Sequence, residues 1–159
     1  MNYRNEIKDI ALTVNDGLTA YIAVHNAIFR DSATFKSFLK NLTGRGVPMS
    51  KLLSDSEALL PLWDTIQQEV DVFRQSSYSF LSKDEQHYYD ILSRYVKSVR
   101  KTVIALIERQ QLMNEGSKGR SGNPMTWNAF QEKEDNYQQS VQEYMAIGQE
   151  LNNAAHLIY

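Results

Sequence analysis

Ser82-Lys83-Asp84-Glu85-Gln86-His87-Tyr88-Tyr89-Asp90-Ile91-Leu92-Ser93-Arg94-Tyr95, continuing through Val99, Val103 and Leu106 to Met113, is the stretch that decides the fold class. Serine followed three residues later by glutamate is a capping box: the hydroxyl accepts from the third backbone N–H and the carboxylate accepts from the serine's own N–H. A helix therefore opens after Ser82. Downstream, Tyr88, Leu92, Tyr95, Val99, Val103, Leu106 and Met113 recur at the helical period, so the helix is long and carries one apolar stripe.

The same period extends to both sides. Ile7, Ile10, Val14, Leu18, Tyr21, Val24 and Ile28 predict a helix over 3–29, interrupted in propensity only by Gly17. Leu59, Trp63, Ile66, Val70, Phe73 and Phe80 predict another over 59–80. Pro61 fits its first turn, where a missing N–H leaves no bond unmade, so 50–58 is read as a separate turn or short helix. A shorter amphipathic helix is expected over 32–42, with Phe35, Phe38, Leu39 and Leu42. Asn123 as cap and Pro124 in the first turn would open the last long helix, which runs through Trp127, Phe130, Tyr137, Val141, Tyr144, Gly148, Leu151, Ala155 and Ile158. Nowhere do β-branched residues alternate over a strand's length. The glycines cluster in two loops, 44–48 and 116–124.

Helices of this length, roughly 30–50 Å at 1.5 Å per residue, bury narrow stripes best side by side. Charge favours a sequential arrangement. Segments 1–53, 54–81, 82–123 and 124–159 carry net charges of +3, −4, +3 and −4, whose sum is the chain's −2. Neighbours of opposite sign suppress wrong pairings even where each exposed ion pair contributes little. The expected fold is all-α: an antiparallel up-down-up-down four-helix bundle with a short extra amphipathic helix between the first two long ones. The 159 residues are read as a single domain.

Composition removes several function classes. There is no cysteine, hence no thiol nucleophile, iron–sulfur cluster or cysteine-ligated zinc. The opening residues lack the basic region and apolar run of a secretory signal, and no apolar run approaches the ~18 residues of a membrane span. The expectation is a soluble, cytoplasmic protein. Di-iron bundles need Glu-x-x-His on two helices, whereas this chain offers only Asp84-x-x-His87, at a helix start. No His-Glu-x-x-His or phosphate-binding glycine loop occurs, and His25, His87 and His156 are scattered. We therefore expect no metal, no cofactor and no enzymatic activity.

Two functional readings remain. The first is a protein-interaction module, an adaptor, accessory or neutralising protein acting on another protein or on a second copy of itself. Its surface is the basic amphipathic segment holding Arg30, Lys36, Phe38, Lys40 and Arg45, together with Lys118 and Arg120 in the second glycine loop. Five positive charges from Arg30 to Lys51, in a chain of net −2, argue against nucleic acid or a membrane surface as main partner. The second is a small-molecule-sensing bundle with a ligand held between helices. His25 lies on the inward side of the first helix, and Glu134 interrupts the core stripe between Phe130 and Tyr137. His25, Glu134 and Tyr137 would form that pocket.

Overall fold

The computed structural model describes residues 2–29, 48–117 and 126–159. These form α1 (Tyr3–Phe29), α2 (Met49–Glu57), α3 (Leu59–Ser77), a 3₁₀ turn at Tyr78–Phe80, α4 (Lys83–Ser117), α5 (Trp127–Ala154) and a closing 3₁₀ turn at Ala155–Leu157. Among the described residues the chain is all-helical, with four long helices, one short helix and no strand. No helix among them is long and apolar enough to cross a membrane.

The local chemistry explains most boundaries. The Glu85 carboxylate accepts from the Ser82 N–H at 2.8 Å while the Ser82 hydroxyl accepts from the Glu85 N–H at 3.3 Å, closing the capping box that opens α4. Pro61 sits in the first turn of α3, separated from α2 by Ala58 alone. The expected helix over 32–42 lies outside the described residues. So do Asn123 and Pro124; the described α5 is instead capped by Thr126, whose backbone is extended and whose hydroxyl accepts from the Ala129 N–H at 3.2 Å.

α4 is the centre of the molecule. Its predicted stripe is buried throughout, but so are Tyr89, Ile91, Val96, Ser98, Thr102 and Ile107 on other faces. One stripe was too narrow a reading, because α1, α2, α3 and α5 all pack on α4. A helix touched on several sides is hydrophobic on several sides. α5, by contrast, buries only Tyr137, Ser140 and Ala154 fully and leaves Met145 exposed.

Ion pairs record the register. Arg94–Glu150, Lys101–Glu143 and Glu108–Lys133 join α4 to α5, with numbers rising along one helix as they fall along the other. Arg74–Asp90 and Asp64–Arg100 do the same for α3 and α4. These bridges are partly exposed, so each fixes register more than it stabilises. Gly17 has a packing role: a Cβ there would lie 2.5 Å from Ile66 Cδ1 and 3.4 Å from Trp63 Cζ2, so glycine lets α1 and α3 approach closely.

Candidate functional site

Three places among the described residues bear on function. The first is a polar knot where α1, α4 and α5 meet. The Tyr137 hydroxyl lies 2.6 Å from the Tyr21 hydroxyl and 2.6 Å from His25 Nδ1. Phe29 stacks on both the His25 and Tyr137 rings. Its ring also meets the guanidinium of Arg109, 4.8 Å from the ring centre, with Phe130 on another side. Arg109 is only 5% exposed, and it donates to Glu134 and, at 2.6 Å, to the side-chain oxygen of Gln110. Gln138 donates to the other Glu134 oxygen at 2.8 Å.

Sequence reasoning placed His25, Glu134 and Tyr137 together, and they do converge. It missed Arg109. The signal was present in the α4 stripe, which passes from Leu106 to Met113 over Arg109 and Gln110 at the two positions where the next core residue was due. Glu134 interrupts the α5 stripe because it answers that buried cation. Burial, and then the Arg109 charge, hold the His25 pKa below its ordinary value, with Glu134 opposing. Burial chiefly pushes the Tyr21 and Tyr137 hydroxyls well above the ordinary phenol range. At neutral pH the knot therefore holds a neutral imidazole, two neutral phenols and one ion pair. Its members satisfy one another, which suits a structural crosslink better than a ligand site.

The second place is a cleft of about 370 Å³ along the seam between α1 and α5. Its floor is α4, through Tyr88, Leu92 and Tyr95; Leu18 and Leu151 line the sides, with Asn15 and Asn152 nearby. No charged side chain among the described residues lines it. A Cβ on Gly148 would fall 2.9 Å from Tyr95 Cε2, so the glycine lets the Tyr95 ring lie against α5. The cleft is joined to the polar knot by aromatic contacts, Tyr95 to Tyr144 and Tyr144 to Tyr21.

The third is a groove of about 650 Å³ between α1 and α3. Ile10, Val72 and Phe73 contribute apolar surface, Val72 being 55% exposed, and Glu6, Asp9 and Glu69 rim it. None of these three carboxylates forms an ion pair with a described cation.

Arg30, Lys36, Phe38, Lys40, Arg45, Lys118 and Arg120 lie outside the described residues. Of the segment's flank, Lys51 is on α2 and pairs with Asp55 at 2.7 Å. His87 is exposed, and His156 Nδ1 lies 2.8 Å from the Asn153 carbonyl oxygen. Among the described residues no three His, Asp or Glu side chains are grouped to hold a metal ion. No family model, curated protein or solved structure matches the chain.

Proposed function

We propose that this protein is a non-enzymatic, cytoplasmic interaction module built as an up-down-up-down bundle, and that it self-associates. In this reading the basic amphipathic segment around Lys36, Phe38 and Lys40 docks in the acidic-rimmed groove of a second copy. The observation that carries it is complementarity. The groove offers apolar floor and the carboxylates Glu6, Asp9 and Glu69, none of which pairs with a described cation, and the segment offers phenylalanines and leucines at helical spacing among lysines and arginines.

Sedimentation velocity at low and high salt tests the reading. The wild type should associate in a concentration- and salt-dependent way, because rim charges steer assembly and are screened. Reversing Lys36 and Lys40 to glutamate, or Glu6 and Asp9 to lysine, should each give monomers. Mixing the two reversed variants should restore a heterodimer through the swapped charges. A wild type monomeric at all concentrations would refute it.

A further inference from the structure

Independently of self-association, we propose that the cleft between α1 and α5 is a binding site for an uncharged, elongated, mainly aliphatic molecule bearing a hydroxyl or carbonyl oxygen. The first observation is the state of its floor. Tyr88 and Tyr95 are 4% and 6% exposed, yet neither hydroxyl has a hydrogen-bond partner among the described residues. The fully sealed polar side-chain atoms without partners are Trp63 Nε1 and Ser98 Oγ. The two phenol hydroxyls are not among them, so each keeps some contact with solvent, and both side chains line the cleft. With no protein partner, each hydroxyl is left to bond water, and a ligand oxygen placed there would take the place of that water.

Shape gives the second part of the ligand's description. The lining recurs at a seven-residue separation on each wall, Ala11 to Leu18 on α1, Tyr88 to Tyr95 on α4, and Gly148 on α5 to Ala155 just past its end. That is a slot of ~10 Å along the helices. Between the two tyrosines the floor is Leu92, and the sides are mostly aliphatic, so the body of the occupant is apolar.

Charge gives the third. Among the described residues no Lys, Arg, Asp or Glu lines the cleft, and burial holds the Tyr88 and Tyr95 hydroxyls in the neutral form, each pushed up to about 12. A carboxylate or ammonium group would enter without a counter-ion, at high desolvation cost. Asn15 and Asn152 at the rim add neutral donors and acceptors.

The test is fluorescence titration of the purified chain with the neutral probe N-phenylnaphthylamine, followed by displacement with decanol, decane and decanoate. The probe should bind saturably, decanol should displace it, and decanoate should displace it at least tenfold less well. The double variant Tyr88→Phe/Tyr95→Phe keeps both rings and removes both hydroxyls. It should melt as the wild type does and lose roughly fivefold or more in decanol affinity, as expected for a hydrogen bond, with decane displacement unchanged. Leu151→Trp, which fills the slot, should abolish probe binding. Absence of saturable binding, equal displacement by decanoate, an unchanged decanol affinity in the double variant, or full binding by Leu151→Trp would each overturn the proposal.

Discussion

Arg109 and Glu134 pair across α4 and α5, the arginine side chain 6% exposed and the glutamate 24%. The pair spans the seam at the point where both apolar stripes are broken. Its two members are not equivalent. Removing the carboxylate leaves a guanidinium in the core between Phe29 and Phe130, whereas removing the arginine leaves a carboxylate with access to water. Glu134→Ala should therefore cost about 3 kcal/mol or more, and Arg109→Met distinctly less. Urea denaturation of both variants checks this; equal losses would show that the buried cation is not what Glu134 serves.

His25 makes stability pH-dependent in a definite direction. Its pKa is lowered on folding from the ordinary 6.5, so between that value and its folded pKa the unfolded chain binds a proton that the native chain does not. Stability then falls as pH is lowered through this window. Glu85 is also held below its ordinary value, chiefly by bonds from Ser82, but its contribution is lost only below about pH 4.5. Denaturation midpoints between neutral pH and about pH 5 should decline in the wild type and flatten in His25→Phe, which retains the stack on Phe29. An unchanged slope would locate the titration elsewhere.

The α4 cap predicts a smaller loss. Ser82→Ala removes the hydroxyl that accepts from Glu85 N–H and should cost about 1 kcal/mol. A two-state thermal or urea transition measures it, and no loss would mean that water replaces the serine at this helix start.

Core positions should separate by depth. Leu106 is fully buried on the central helix, and Leu106→Ala should cost ~2–5 kcal/mol through lost burial and a cavity. Val141 is only half-buried on α5, so Val141→Ala should cost about 1 kcal/mol, less than its place in the stripe suggests. Lys101→Ala breaks an exposed pair with Glu143 and should change stability by under ~1 kcal/mol. Parity between Lys101→Ala and Leu106→Ala would reverse the facing of α4.

The helices themselves were legible in the sequence, because they rest on local physics: apolar residues at the helical period, the Ser82 and Glu85 capping box, a proline tolerated only in a first turn. The α1 limits, the separate α2 and the start of α4 follow from such signals within a few residues of each boundary. The cap of the described α5 did not, since Asn123 and Thr126 are both capping residues, asparagine the better one, and nothing local in the sequence selects Thr126. Depth was also beyond a single-sequence reading. Periodicity tells which face of α4 is apolar, but only the packing of α1, α2, α3 and α5 around it makes Tyr89, Ser98 and Thr102 interior. The polar knot depended on both levels. The breaks at Arg109 and Glu134 were visible as misplaced polar residues, yet their pairing joins positions 25 residues apart, and His25 reaches Tyr137 across 112. Hydrogen bonds and ion pairs act over a few ångströms, so partners that far apart in the chain exist only once the tertiary fold has brought their helices side by side.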